Sequence, residues 1–153
     1  MDEVLERDQH WMRQALDLAA QAEAQNEVPV GALIVYQDQL VASGFNQPIA
    51  KHDCTAHAEI IVIRQACDHV KNYRLPGMTL YCTLEPCPMC AGAMVHARIQ
   101  RLVYAASDPR TGAAGSIINL LNHPDLNHQV ETSAGVLAEQ ASQQLKNFFK
   151  RRR

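Results

Sequence analysis

The sequence predicts an α/β layered sandwich, with helices packed on a sheet of short strands. Three observations lead there. Short apolar, β-branched runs recur along the chain, stretches of helical periodicity stand between them, and proline and glycine mark the joins. In order the elements read β-β-α-β-α-β with a helix at each end, an alternation that builds one helix-covered sheet. The 153 residues suffice for a single domain, 1–153, with its own core.

The first helix runs from Asp8 to Gln25, with Trp11, Met12, Ala15, Ala19 and Ala22 at helical spacing. Val28-Pro29-Val30-Gly31 breaks it. Val30 to Tyr36 and Leu40 to Phe45 are apolar stretches joined through Gln37-Asp38-Gln39, a hairpin pattern. Asn46 to Asp53 is a loop holding Pro48. Thr55 is placed to cap a helix ending near His69, with Ile60, Ile61, Ile63 and Ala66 on its apolar side. Pro76-Gly77 turns the chain into a third strand, Met78 to Leu84. A helix follows from Pro88 to Arg98, since proline is tolerated in a first turn. Leu102 to Ala106 is a fourth strand. Gly112 and Gly115 mark 108–121 as a loop giving way to a short helix. Gln129 to Thr132 is a short strand, and Val136 to Phe149 a closing helix.

A hydrophobic fraction of 47% and a charged fraction of 20% belong to an ordinary globular protein rather than a disordered or fibrous one. The opening MDEVLERDQ lacks the pattern of a signal or transit peptide, and no apolar run approaches the roughly 20 residues that cross a bilayer. A cytoplasmic protein without a membrane partner is expected. The formal charge of −2 carries no global sign of nucleic-acid binding. Its distribution is uneven: Lys146 and the run Lys150, Arg151, Arg152, Arg153 put a basic tip, by default a solvated tail, on a mildly acidic body. Five cysteines, an odd number, fit buried apolar residues, metal ligands or reactive groups better than a disulfide framework.

The chemistry concentrates in two phrases, His57-Ala58-Glu59 and Pro86-Cys87-Pro88-Met89-Cys90. A Cys-x-x-Cys pair one helical turn apart points both thiolates at one ion, and His57 adds an imidazole. Two thiolates and a neutral histidine balance Zn²⁺ and leave a fourth position for water, which separates a catalytic zinc from a structural one. Both phrases fall in first turns of predicted helices, where free N–H groups and partial positive charge stabilise thiolate. Glu59, two residues from the histidine, is near enough to exchange protons with a metal-activated water without ligating the metal. Two rival readings use the same residues. Cys54-x-x-His57 with Cys87-x-x-Cys90 makes a closed structural site, which leaves Glu59 without a task. A redox Cys-x-x-Cys explains neither His57 nor Glu59.

TAHAEI around His57 and TLEPCPMCAGAMVHARI around Cys87 resemble the bacterial tRNA adenosine deaminases. The likeness continues through EVPVGALIV, GFNQPI, NYRL, SDPRTGAAGS and the ending FFKRRR, so it spans essentially the whole chain. The zinc motif alone marks the wider cytidine-deaminase-like superfamily; the Asp108 loop and the aromatic-basic tail point to the tRNA branch. The resemblance implies the three-layer α/β/α cytidine-deaminase-like fold with a central mixed sheet. It implies hydrolysis of adenosine to inosine at the wobble position of a tRNA anticodon by a homodimer, with one Zn²⁺ per chain and no nucleotide cofactor. Carried over by residue, His57, Cys87 and Cys90 bind zinc and Glu59 shuttles protons. Asn46 hydrogen-bonds the flipped base, Val28, Pro29 and Ala58 line its pocket, Asp108 contacts the ribose-phosphate backbone, and Phe149 with the basic tip binds the anticodon stem-loop. Cys54 departs from the family, where proline is expected. Cys82 reads as a small buried residue.

Simpler roles compete at several positions. The other six histidines lack ligand-like spacing and read as surface or packing, with His52 the exception closest to the motif. Met89 and Met94 read as core. Ala91, Gly92 and Ala93 suit either a helix contact across a dimer or packing on the sheet. Phe148 and Phe149 alternatively anchor the last helix. A small-molecule deaminase and a non-catalytic zinc-stabilised RNA-binding module are the competing functions.

Overall fold

The computed structural model describes residues 2–152. Its elements are α1 (Glu3–Ala24), β1 (Gly31–Tyr36), β2 (Gln39–Phe45), α2 (Pro48–Lys51), α3 (Ala58–Val70), β3 (Thr79–Leu84), α4 (Pro88–Ala97), β4 (Arg101–Ala106), β5 (Glu131–Ser133) and α5 (Ala138–Arg151). The strands form one sheet in the order β2-β1-β3-β4-β5. β1 is antiparallel to both β2 and β3, whereas β3, β4 and β5 run parallel, which makes the sheet mixed as expected.

Strand residues alternate between two cores, as a period of two requires. Ala32, Ile34, Leu80, Cys82, Leu102 and Tyr104 pack with Ala58, Val62 and Ala66 of α3 and Cys90, Ala91 and Met94 of α4. Leu33, Val35, Tyr81, Val103 and Ala105 pack on the other side with Trp11, Met12 and Ala15 of α1 and Ala141 of α5. Three layers result, α3 and α4 on one face and α1 and α5 on the other. Gly31 lets α1 lie directly on the sheet, because a Cβ there would stand 2.1 Å from the Ala15 carbonyl oxygen.

The structure departs from the predicted elements at four places. α1 begins at Glu3, five residues earlier than its apolar pattern, because the Asp2 carboxylate accepts the Val4 N–H at 3.0 Å and caps it. The expected loop 46–53 contains the single turn α2, whose first N–H groups, from Ile49 and Ala50, donate to the buried Glu27 carboxylate at 3.2 and 2.8 Å. Thr55 does not cap α3. Its N–H and hydroxyl both donate to Asp53 Oδ1, at 2.9 and 2.7 Å, and His57 takes the cap position instead. Residues 108–121 form no helix; they carry a single bridge between Ala114 and Asn119.

Asp8 clamps α1 to the sheet. Its buried carboxylate accepts from Tyr81 Oη at 2.7 Å and from both terminal nitrogens of Arg101 at 2.9 and 2.6 Å, and Arg101 also donates to Ser133 Oγ. Burial pushes the Tyr81 phenol well above its ordinary range, and the bond to Asp8 adds to that. Removing one member strands the others in a dry site. Asp8→Ala is therefore expected to lower stability by about 3–5 kcal/mol, read as a lower urea midpoint at an unchanged slope.

Candidate active site

The site is built where two helices begin. His57 is the cap residue of α3 and Cys87 that of α4, both with extended backbones, and neither side chain caps its own helix. A cap residue ordinarily spends its side chain on the helix N–H groups. Here that duty passes elsewhere, since Asn46 Oδ1 accepts the Ala58 N–H at 2.8 Å. Both helix starts are thus electropositive while their leading side chains stay free to act as donors.

Cys90 follows one turn into α4. Its Sγ and that of Cys87 each lie 3.6 Å from His57 Nδ1, and the three donor atoms fall within 4.8 Å of one another. An ion with tetrahedral bonds of about 2.3 Å to sulfur and about 2.05 Å to nitrogen requires a sulfur–nitrogen separation of roughly 3.6 Å. The donor set therefore fits one tetrahedral metal. Cys54 is exposed and stands outside the group, so the closed four-ligand arrangement is not assembled.

The electrostatics divide the two thiols. A hydrogen bond from Cys90, with a second from His57, pulls the Cys87 thiol down to about 4 against the effect of burial. The same bond and burial drive Cys90 up. His57 is raised by its bond to Cys87, despite partial burial, with the negative charge of Glu59 adding to the shift. Glu59 is 4% exposed on the first turn of α3, and burial pushes its carboxyl up to about 7. A group poised there both accepts and releases protons near neutrality. Its carboxyl meets the Cys90 thiol on one side and Cys82 on the other.

The expected pocket residues gather beside these donors. Asn46 N–H donates to Val30 O at 3.0 Å, Gln47 N–H to Ala56 O at 3.0 Å, and Val30 N–H to Val28 O at 2.8 Å. These bonds stitch 28–30, 46–47 and 56–58 into one wall, with Pro29 and Ala58 buried and Val28 and Asn46 half-buried. Asp108 follows β4, its carboxylate accepting from Arg110 N–H, Thr111 N–H and Thr111 Oγ at 2.9, 3.2 and 2.8 Å. Phe149 is not brought to this wall. It projects from α5, in the layer across the sheet, 48% exposed, while its neighbour Phe148 is 3% exposed. The basic tip is folded onto the end of α1: Arg151 pairs with Glu23, Arg152 donates to Asn26 Oδ1 at 3.1 Å, and its guanidinium lies 3.5 Å over the Phe148 ring. Arg153 lies outside the described residues.

Cys82 and Glu85 stand at the site without having been predicted there. Cys82 shares its sheet face with Leu80, a relation that strand alternation could have revealed. Glu85 is a carboxylate at the end of the apolar run LYCTL, and such a charge needs buried partners.

The fold and the donor group together define a deaminase, and a family model for MafB19-like deaminases matches residues 6–153. The tRNA-specific adenosine deaminase of Haemophilus influenzae is 50% identical over 149 residues, covering 97% of this chain and 86% of the relative. That of Bacillus subtilis is 42% identical over 144 residues, covering 94% and 89%. A solved structure from studies of A-to-I editing by tRNA:A34 deaminases at the wobble position of transfer RNA superposes with a TM-score of 0.86 at 42% identity, covering 89% of this chain and 99% of that one. The chain belongs to the tRNA-specific adenosine deaminase family.

Metal content separates the donors from their neighbour. Cys90→Ser is expected to lose the bound metal, whereas Cys54→Ser keeps the metal content and turnover of the parent. Metal loss on substituting Cys54 would instead restore the closed structural site.

Proposed function

We propose that the chain hydrolyses adenosine to inosine at the wobble position of a tRNA anticodon, with one Zn²⁺ held by His57, Cys87 and Cys90. The observation that carries this reading is a tetrahedrally spaced His-Cys-Cys group with a buried carboxyl beside it that is not one of the donors. Two thiolates and an imidazole are a donor set for zinc, and three protein donors leave a position for water. When bound, the ion supplies Lewis acidity that lowers the pKa of a water to about 7.

Glu59 moves the protons. Its carboxylate takes one from the attacking water and gives it to N1 of adenine as oxygen adds at C6. It then takes the proton of the new C6 hydroxyl and passes it to the C6 amino group, which leaves as ammonia as the C6 carbonyl forms. Asn46 orients the base: with Oδ1 committed to Ala58, its amide NH₂ is the face offered to a ring acceptor. Val28, Pro29 and Ala58 line the base pocket, and Asp108 takes the backbone side of the same nucleotide. A stacked, paired base cannot enter such a site, whereas an anticodon loop presents one already splayed.

The working form in this reading is a cytoplasmic homodimer. Gly92 and Ala93 support it: they are only half-buried on α4, and a Cβ at Gly92 would meet nothing within 4 Å, which leaves room for a second copy. Among the described residues no helix is long and apolar enough to cross a membrane.

Incubating the purified chain with total tRNA and sequencing for inosine tests the assignment directly. Turnover of free nucleobases with no inosine in tRNA would overturn it. Glu59→Ala is expected to retain about one zinc per chain while losing activity by roughly 10²–10⁴-fold, the usual contribution of general acid–base catalysis. Zinc loss in that variant would make Glu59 structural.

Exposed Phe149 and Lys150 supply the stacking and phosphate contacts of the proposed stem-loop grip. The joint variant Phe149→Ala, Lys150→Ala spares Phe148 and so keeps the fold. It is expected to bind tRNA more weakly, with a log–log salt slope shallower by about one for the lost phosphate contact. Unchanged affinity and slope would make the tip a solvated end.

A further inference from the structure

Glu85 follows the last residue of β3 and stands two residues before Cys87, and it is only 2% exposed. Among the described residues no cation partners it. Its Oε1 accepts the Asp108 N–H at 2.9 Å and the Ser116 hydroxyl, and its Oε2 accepts the N–H groups of Ala114 and Ser116 at 2.9 and 3.1 Å. All four donors belong to one segment, 23 to 31 residues further along the chain. The backbone doubles the attachment, with Glu85 N–H bonded to Ala106 O and Ala113 N–H to Pro86 O, both at 2.8 Å. Gly112 lies so close that a Cβ would stand 2.4 Å from the Glu85 carboxyl carbon. One buried carboxylate thus replaces the internal hydrogen bonds that segment 108–116 does not make with itself, and it does so beside a metal donor.

We propose that Glu85 is a positioning residue for the reaction: its carboxylate sets where segment 108–116, and with it Asp108, stands relative to the Cys87 turn. The nucleotide being edited then meets two fixed surfaces at once, the donor group at its base and the Asp108 segment at its ribose and phosphate. This inference rests on the reading of Asp108 as a substrate contact. Glutamine has the same shape but offers one acceptor oxygen, and its NH₂ would face N–H groups that need an acceptor. A segment released in this way misplaces the substrate while leaving the thiolates and imidazole untouched.

The test measures kcat/KM on an anticodon stem-loop RNA for the parent, Glu85→Gln, Asp108→Ala and the double variant, together with metal content. Glu85→Gln is expected to keep the metal and lose roughly 10- to 100-fold in kcat/KM, the scale of a misplacement of about 1 Å. The loss should shrink towards nothing when Asp108 is already alanine, because residues acting through one contact are not additive. Ser116→Ala removes one donor at the exposed end of the network and is expected to give a smaller loss with the same non-additivity; it decides the matter if Glu85→Gln does not fold. Undiminished kcat/KM in Glu85→Gln, fully additive losses, or loss of the metal would each overturn the proposal. An Asp108→Ala variant with undiminished kcat/KM would sink the substrate-contact reading itself and this inference with it, whereas impaired Asp108→Ala beside normal Glu85→Gln sinks only the inference.

Discussion

Two helices must start at one point, and most of the architecture follows from that demand. α3 and α4 bring their N-terminal N–H groups to the same place, so the field there is positive from two directions. A lysine or arginine would be repelled from such a spot and a thiolate is welcomed; at Cys87 the hydrogen bond from Cys90, with a second from His57, pulls the thiol down to about 4. His57 and Cys87 remain free to face each other because neither caps its own helix. The start of α3 is satisfied from outside, by Asn46.

The mixed sheet provides the convergence. Parallel β3 and β4 both end at the same edge, so the Glu85–Cys87 turn and the Asp108 segment emerge side by side, as ligand-binding loops do in open α/β sheets. β1 is antiparallel to both of its neighbours, so β2 runs the same way as β3 and delivers Asn46 to that same edge. On the far face, Asp8, Tyr81 and Arg101 pin α1 to three strands, so the platform is held by groups that take no part in the chemistry.

The metal phrases were legible in the sequence because their geometry is local. A Cys-x-x-Cys at a helix start and a His-x-Glu at another each fix side-chain directions within one turn. Strand positions were legible too, since alternation between two cores leaves apolar runs. What escaped notice was settled by partners distant in the chain. Thr55 looks like a cap until Asp53 claims both of its donors. Segment 108–121 looks partly helical, but its N–H groups at 108, 114 and 116 are committed to Glu85, which no local pattern announces. The FFKRRR ending suggested one aromatic-cationic patch. The structure divides it, with Phe148 inward, Phe149 outward, and Arg151 and Arg152 turned onto the end of α1.

Asn46 occupies an unusual place in this arrangement. One end of its carboxamide holds the N–H of Ala58, and the very next residue is Glu59, the proposed proton carrier. A base drawing on the other end of that amide pulls on the start of α3 itself. In the proposed mechanism, recognition and proton transfer are therefore one lever rather than two parts. A change at position 46 that removes the side-chain oxygen also removes an acceptor from the start of α3. Under the proposed mechanism, selection for a different base begins elsewhere on the wall, at side chains such as Val28 and Pro29 that make no side-chain hydrogen bond to the helix.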